Sequence, residues 1–222
     1  MGGAGDGTDT SLKRIGILGG SFNPAHRGHR AISLHALRAL ELDEVWWMVS
    51  PGNPLKEAKG MAPFAARMAS ARAMAKHAPI RPTAVEQRLK TRYTVDTLSK
   101  LPQLYPKHQF IWLMGADNLA QFDQWKGWRR IARQVPIAVI ARPGYDRDAH
   151  ASPAMGWLRR FVRPAGQAKN WTKWSLPALV LLRFRPDPTS ATRLRAADPA
   201  WHRRYAPSPH HRTRVSGRQE QT

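Results

Sequence analysis

The sequence predicts an α/β fold, a doubly wound (Rossmann-like), mostly parallel sheet with helices on both faces. Short apolar segments of strand length alternate along the chain with longer segments of helical periodicity. Strands that alternate with helices pair in parallel through crossover connections. A glycine pair also ends the first apolar segment immediately before a helical pattern, as expected where such a sheet binds a ligand.

The first predicted unit is a strand, a glycine-rich loop and a helix. The apolar run at 14–18 stops at Gly19-Gly20, which is typical of a buried strand that ends in a turn. Residues 28–40 then place their apolar side chains at helical spacing. We expect residues 1–13, rich in Gly, Thr and Asp, to be a flexible tail because they have little to bury.

The later elements continue this alternation. We predict strands at 45–49, 80–85, 110–114, 136–140 and 178–184, and helices at 63–77, 93–101, 118–122 and 128–133. Residues 142–177 break the pattern with several Pro and Gly residues, so we expect an irregular basic insertion there. Residues 199–222 have little apolar periodicity, and we expect a disordered basic tail.

Composition excludes several classes of protein. The 222 residues contain no Cys, so a disulfide scaffold, a thiolate zinc site and a cysteine nucleophile are excluded. No apolar run reaches about 18 residues, and the N-terminus lacks the apolar core of a signal peptide, so we expect a cytoplasmic protein. The 36 Lys and Arg against 15 Asp and Glu give a net charge of +21, which requires a polyanionic partner to be considered.

The segment that carries chemistry reads GGSFNPAHRGH and covers residues 19–29. Gly19 and Gly20 let backbone amides approach a phosphate closely, and the N-terminus of the next helix adds unpaired amides and a favourable dipole. His26 and His29 are three residues apart, so both can face one phosphate from the first helical turn. The pair could also be part of a metal site, but zinc would need a third ligand.

Strand, GGSFNP, HxGH and helix together resemble the nucleotidyltransferase superfamily with the HxGH signature, and closely the bacterial nicotinate-nucleotide adenylyltransferases. The resemblance covers about residues 14–196 and implies one nucleotidyltransferase domain at 14–198. It implies that His26 and His29 contact ATP phosphates and stabilise charge during adenylyl transfer. It also implies that the loop at Gly19, Gly20, Ser21 and Phe22 binds ATP, with Gly20 and Ser21 contacting nicotinate mononucleotide as well.

A second motif of this family is a Ser/Thr-rich turn before a C-terminal helix, which reads SATRLR here at 190–195. Ser190 or Thr192 can cap the helix while exposed amides receive phosphate oxygens. Arg195 supplies a forked cation for the same oxygens. Such a cap with an arginine is usually only a helix start, but its order after an HxGH loop favours a phosphate site.

Further segments resemble the same family. The resemblance implies that Lys56, in SPGNPLK, lies over the active site, and that Thr94, in RYTVDTL, lies near the nicotinate ring. Both Asp117 and Trp125 lie in the block that begins at Gly115. The resemblance implies that Asp117 lies near the nucleotide and that Trp125 stacks on the pyridine ring. Arg142, in ARPGY, is implied to lie near the adenylate. Arg92 stands where the family usually has Ser, which is a departure from the pattern.

The implied reaction joins ATP and nicotinate mononucleotide into nicotinate adenine dinucleotide and pyrophosphate. The resemblance implies Mg²⁺ bound with ATP and no dedicated metal ligands in the protein. The expected partners are the two substrates, with no membrane and no nucleic acid, and a homo-oligomer is left open.

Two other interpretations compete with this one. A sibling enzyme, such as a pantetheine-phosphate adenylyltransferase or a cytidylyltransferase, would share the fold and the HxGH chemistry. A basic nucleic-acid-binding protein would use Arg-rich segments with interleaved Trp, of which residues 157–174 are an example. Residues 126–185 hold 13 Lys and Arg and two Asp, outside both phosphate motifs, so most of the charge is expected to be a solvated surface.

Overall fold

The computed structural model describes residues 12–52, 60–141, 151–184, 187 and 189–205. The strands are β1 (Lys13–Gly20), β2 (Glu44–Val49), β3 (Ile80–Thr83), β4 (His108–Gly115), β5 (Ile137–Ala141), β6 (Val162–Arg163) and β7 (Leu179–Arg183). The helices are α1 (Arg27–Ala39), α2 (Phe64–Ala75), α3 (Val85–Leu89), α4 (Thr94–Leu104), α5 (Ala116–Leu119), α6 (Trp128–Gln134), α7 (Pro153–Leu158) and α8 (Ala191–Ala197). Short 3-10 helices cover Phe122–Gln124, Arg159–Phe161, Ala165–Lys173 and Trp201–Tyr205.

The sheet has seven strands in the order β3-β2-β1-β4-β5-β7-β6, and every neighbouring pair is parallel. The chain moves outward from β1 to β3 and then returns to place β4 on the other side of β1. The carboxyl ends of β1 and β4 therefore form the topological switch point where such sheets bind ligands. The predicted doubly wound parallel sheet is confirmed.

Side chains that alternate along the strands build two cores, one on each face of the sheet. In β2, Trp46 and Met48 join one core, whereas Trp47 and Val49 join the other. The first core is covered by α4, α6 and α7, and the second by α1 and α2. Both faces are buried, which explains why the strands read as continuous apolar runs.

Most predicted elements are present with shifted ends. Strand β1 begins at Lys13, inside the predicted tail, whereas residues 1–11 lie outside the described part of the chain. Strand β3 ends at Thr83 and a short helix, α3, follows it, where one longer strand was predicted. The helix predicted at 118–122 instead begins at Ala116 as α5 and is followed by a separate 3-10 turn.

The prediction of an irregular insertion at 142–177 is wrong for its described part, residues 151–177. The Ser152 hydroxyl accepts a hydrogen bond from the Met155 amide at 3.2 Å and caps α7. Strand β6 pairs with β7 at the edge of the sheet, and the 3-10 helix at 165–173 buries Trp171. These elements have between two and nine residues, too few for a periodicity that a sequence pattern could reveal.

The prediction of disorder from residue 199 is also wrong as far as Tyr205. The 3-10 helix at 201–205 lies against α2, and the Trp201 side chain is buried. A single anchoring Trp in a charged segment gives little periodic signal, although it is enough to hold one turn. Residues 206–222 lie outside the described part.

Candidate active site

The two histidines of the HxGH motif close the first turn of α1. His26 is the N-cap, and the Gly28 amide donates a hydrogen bond to its Nδ1 at 3.1 Å. The His26 amide in turn donates to the Nδ1 of His29 at 3.2 Å, and the ring centroids lie 3.8 Å apart. Because each Nδ1 accepts a backbone proton, each neutral ring carries its own proton on Nε2. The two rings are thus oriented by the backbone as a pair of N–H donors.

Glycine at position 28 brings the two phosphate motifs together. A Cβ there would lie 2.9 Å from the His26 ring and 3.2 Å from the carbonyl oxygen of Thr189. A larger residue would separate the HxGH turn from the segment that leads into α8. The requirement is therefore a close approach rather than an unusual backbone angle, since no positive φ is recorded at this glycine.

A layer of side chains supports His29 from below. Its ring lies 4.8 Å from the Phe22 ring, which stacks on Trp47 at 5.0 Å. The indole N–H of Trp47 donates to the Ser33 hydroxyl at 2.8 Å, and that hydroxyl donates to the His29 carbonyl oxygen at 2.9 Å. The orientation of His29 is consequently fixed by packing as well as by hydrogen bonds.

The glycine-rich loop buries Phe22 and uses Asn23 as a connector. Phe22 has a left-handed backbone with φ of 48°, which a non-glycine residue adopts at a cost and which occurs often at functional sites. Phe22 is 1% exposed, so its ring belongs to the packing beneath the loop. The Asn23 side chain donates to the Gly60 carbonyl and accepts from the Ala62 amide. Sequence reasoning did not single out Asn23.

The C-terminal motif meets the glycine-rich loop. Ser190 is the N-cap of α8 and accepts a hydrogen bond from the Arg193 amide at 3.2 Å. The guanidinium of Arg195 donates to the Asn23 carbonyl at 2.7 Å and to the Thr192 hydroxyl at 3.4 Å. Residues 172 positions apart are thereby joined. The structure brings together the two motifs that the sequence predicted to share a site.

A carboxylate stands beside this junction. The Thr189 amide donates to the Asp187 carboxylate at 2.8 Å. Hydrogen bonds from the Thr189 side chain and amide, and then the positive charge of Arg27, lower the pKa of Asp187 below its ordinary value. Asp187 is therefore ionised at neutral pH and offers a counter-charge to the HxGH turn.

The two residues predicted to contact the nicotinate ring are Trp125 and Thr94, the first residue of α4. Trp125 is half-buried and lies edge-on to Trp112, with centroids 6.1 Å apart. Trp112 in turn fills the space beside Gly19, where a Cβ would lie 2.6 Å from its ring. A continuous set of contacts therefore leads from the glycine-rich loop to Trp125.

The turn after Trp125 packs on the first turn of α4, which begins with Thr94. Gly127 has φ of 64°, and a Cβ there would lie 3.2 Å from Val95. The Lys126 ammonium lies 3.6 Å from the Asp96 carboxylate and 4.2 Å from the centre of the Tyr93 ring. Thr94 and Trp125 thus belong to two adjoining turns. Lys126, which joins them, was missed because its partners are distant in sequence.

The remaining predicted residues are placed as follows. Asp117 is exposed in the first turn of α5, and it folds back so closely on Gly115 that a Cβ there would collide with its carboxylate. The Gly20 carbonyl accepts a hydrogen bond from the Ser50 amide at 2.9 Å, which joins the ends of β1 and β2. Lys56 and Arg142 lie outside the described residues.

Two buried ionisable residues near the ends of β1 and β2 were also missed. Arg67 in α2 is 1% exposed and donates hydrogen bonds to carbonyls of both adjoining loops. Glu86 in α3 is 4% exposed; burial raises its pKa to about 7, and a hydrogen bond with Ser50 opposes part of that rise. A charged residue on an otherwise apolar helix face was the available signal for Arg67. Nothing in the sequence distinguishes Glu86 from a surface acid.

Within the described residues, no cluster of three or more His, Asp or Glu side chains could hold a metal ion. In that same part of the chain, no helix is both long enough and apolar enough to cross a membrane.

Comparison with known proteins shows the family to which this chain belongs. A sequence model of the cytidylyltransferase-like family matches residues 17–197, a range that includes both phosphate motifs. A curated protein from Erythrobacter litoralis, named "Probable nicotinate-nucleotide adenylyltransferase", is 64% identical over 192 residues, which cover 86% of this chain and 88% of that protein. The chain belongs to the nicotinate-nucleotide adenylyltransferase family.

Other members of the nicotinate-nucleotide adenylyltransferase family agree with this. A protein of the same name from Gluconobacter oxydans is 50% identical over 182 residues, covering 82% of this chain and 93% of that protein. Among solved structures, the nicotinic acid mononucleotide adenylyltransferase of Plasmodium falciparum, complexed with NaAD, covers 83% of each chain with a TM-score of 0.60. Its sequence identity is 16%, so this similarity shows the shared fold alone.

Proposed function

We propose that this chain transfers the adenylyl group of ATP to nicotinate mononucleotide and releases pyrophosphate. The observation that carries the proposal is the hydrogen bond from Arg195 to the Asn23 carbonyl, which joins the HxGH segment to the C-terminal motif at the carboxyl edge of the sheet. The names of the family members support the choice of substrates. The product is nicotinate adenine dinucleotide, an intermediate of NAD biosynthesis.

The reaction needs little acid–base chemistry from the protein. The attacking group is the phosphate of nicotinate mononucleotide, and a phosphate monoester has a second pKa of about 6, so it is largely ionised at neutral pH. One of its oxygens forms a bond to the α-phosphorus of ATP while the bond to the β-phosphate bridging oxygen breaks. The protein must align two polyanions and stabilise the charge on the transferred and leaving groups.

In our proposal, residues of the HxGH turn and of the C-terminal motif supply that stabilisation. The Nε2–H groups of His26 and His29 donate to ATP phosphate oxygens, because the backbone already occupies each Nδ1. Arg195 presents the guanidinium fork that suits phosphate oxygens. Ser190 and Thr192 bind the same oxygens at the start of α8. Lys56 and Arg142 are proposed to add positive charge near the phosphates and the adenylate, respectively.

The acceptor nucleotide is proposed to lie between the glycine-rich loop and the start of α4. Gly20 and Ser21 contact its phosphate, while Thr94 and Trp125 hold the nicotinate ring, with the indole as a stacking surface. The adjacent turns of these two residues support this assignment. Asp117 and the loop at Gly19 and Phe22 are proposed to contact the adenine nucleotide.

Mg²⁺ is proposed to arrive with ATP and to neutralise charge on its phosphates. Such an ion usually keeps several waters and is bound through one or two carboxylates and the phosphates of the substrate, so a dedicated cage of protein ligands is not required. We also propose that the reaction takes place in the cytoplasm, where both nucleotides are available.

A panel of acceptors tests this function. The purified full chain is incubated with ATP, Mg²⁺ and either nicotinate mononucleotide, nicotinamide mononucleotide, pantetheine phosphate or no acceptor, and pyrophosphate and dinucleotide are measured together. The proposal predicts rapid release of pyrophosphate with nicotinate mononucleotide and an equal amount of dinucleotide. Preference for pantetheine phosphate would show the sibling enzyme instead, and release without any acceptor would show simple ATP hydrolysis.

A further inference from the structure

Arg67 is a charged side chain buried beneath the site with an unusual set of partners. Its Nε donates to the Ala62 carbonyl at 3.0 Å. One terminal nitrogen donates to the carbonyls of Ser21 at 2.8 Å and Ser50 at 2.6 Å, and the other donates to the Pro51 carbonyl at 3.0 Å. The guanidinium therefore uses all three of its nitrogens on backbone oxygens from three segments.

Those three segments converge at the carboxyl edge of the sheet. Ser21 lies in the glycine-rich loop after β1, one residue beyond Gly20. Ser50 and Pro51 directly follow β2, and Ala62 leads into α2. The Phe64 ring covers the guanidinium, with its centre 5.4 Å from the central carbon. Arg67 is the described side chain that connects all three segments by hydrogen bonds.

Burying a guanidinium without a carboxylate partner costs free energy. Burial lowers the pKa of Arg67, since the charged form loses its water. Its recorded hydrogen bonds in the described part of the chain go to carbonyls and not to a carboxylate, so no opposite charge repays that desolvation. An apolar side chain of similar volume would avoid the desolvation of a charge, but it would leave the carbonyl oxygens of Ala62, Ser21, Ser50 and Pro51 without their donor. The guanidinium offers what an apolar side chain lacks, namely several fixed hydrogen-bond directions.

We propose that Arg67 is a positioning residue for adenylyl transfer, which holds the phosphate-binding loop after β1 against the residues that follow β2. This inference rests on the proposed function and adds a residue to it. Arg67 contacts no reacting group and acts through the Ser21 and Ser50 carbonyls. Its planar fork is essential, because a lysine ammonium is a point charge that cannot reach carbonyls on three sides.

The first part of the test compares three variants of the full chain. Arg67→Lys keeps the charge but loses the fork, whereas Arg67→Met keeps the stem and removes both the buried charge and its hydrogen bonds. Arg72→Lys is the matched control, because Arg72 lies on the same helix and is exposed. For each variant kcat, KM for ATP and the folded fraction are measured at a temperature well below its unfolding midpoint.

The expected result is a fall in kcat of at least about tenfold per folded molecule in both Arg67 variants, with KM for ATP changed by less than about threefold. Arg67→Ala is expected to recover part of its kcat with millimolar guanidinium, which can occupy the vacated site, whereas Arg72→Ala is not expected to respond. Unchanged kcat in folded Arg67→Met, or a loss explained entirely by unfolding, would overturn the inference. A wild type and an Arg72→Lys variant that both lack activity would overturn the proposed function on which it rests.

Discussion

At the scale of single residues, Glu86 couples folding to pH. Burial raises its pKa to about 7, above the value near 4.3 of an unfolded chain, so the folded state binds the proton more tightly. Its contribution to stability is therefore complete below about pH 4 and is lost as the pH rises to about 7, by roughly 3–4 kcal/mol in total. The Ser50 hydroxyl, which donates to the Gly52 carbonyl at 2.8 Å, also lies beside this carboxyl.

The Glu86→Gln variant is expected to lose this pH dependence. An amide cannot ionise, so the free energy of unfolding should fall less between pH 5 and pH 8 in the variant than in the wild type. Urea unfolding at the two pH values measures the difference. Asp43→Asn, which removes an exposed carboxylate away from Glu86, serves as the control. An identical fall in the wild type and in Glu86→Gln would mean that Glu86 ionises as freely in the folded chain as in water.

Residue-scale prediction from the sequence depended on local motifs. His26 and His29 could be assigned because their spacing, their glycine and their position after a strand lie within one short segment. Arg67 and Glu86 could not, because their roles arise from burial against loops that are distant in sequence. The orientation of the two histidines was also out of reach, since it depends on which ring nitrogen accepts a backbone hydrogen bond.

At the scale of elements, two substitutions at the N-cap of α8 separate the structural role of Ser190 from its proposed role in phosphate binding. Ser190→Ala removes the N-cap hydrogen bond and is expected to cost about 1 kcal/mol. Ser190→Asp retains a cap, because Asp is among the best N-cap residues, but it places a negative charge where phosphates are proposed to bind. We expect near wild-type stability in Ser190→Asp with KM for ATP raised at least about tenfold. If that KM equals the wild-type value, Ser190 caps the helix and does nothing more.

The elements that were predicted well are those with long apolar runs, such as β1, β2 and β4, each buried on both faces. The order of the strands was not predictable, because each pairing joins segments that are distant in sequence. The segment at 151–177 was misjudged for a different reason. Its isolated apolar residues contact the main cores, so its order comes from tertiary packing rather than from its own pattern.

At the scale of the whole molecule, Trp171 ties that segment to the sheet. Its side chain is 2% exposed, and its indole N–H donates to the Leu40 carbonyl at 3.0 Å. The Arg14 guanidinium lies 5.5 Å from the centre of its ring and donates to the same carbonyl.

Trp171→Ala is expected to lower the free energy of unfolding by about 3–5 kcal/mol, as for other large-to-small core substitutions. Chemical denaturation measures this, and the exposed Lys173→Ala should change it by less than about 0.5 kcal/mol. Equal effects of the two substitutions would mean that the segment is not part of the core.

The proposed reaction depends on the two histidines as hydrogen-bond donors to the ATP phosphates. Turnover of His26→Asn and His29→Ala with ATP and nicotinate mononucleotide tests this most directly, because Asn retains an N-cap at position 26 while it removes the imidazole. We predict that kcat falls at least about 100-fold in each folded variant, as expected when a group that stabilises developing charge is lost. Turnover close to that of the wild type in either folded variant would contradict the role of that histidine in the reaction.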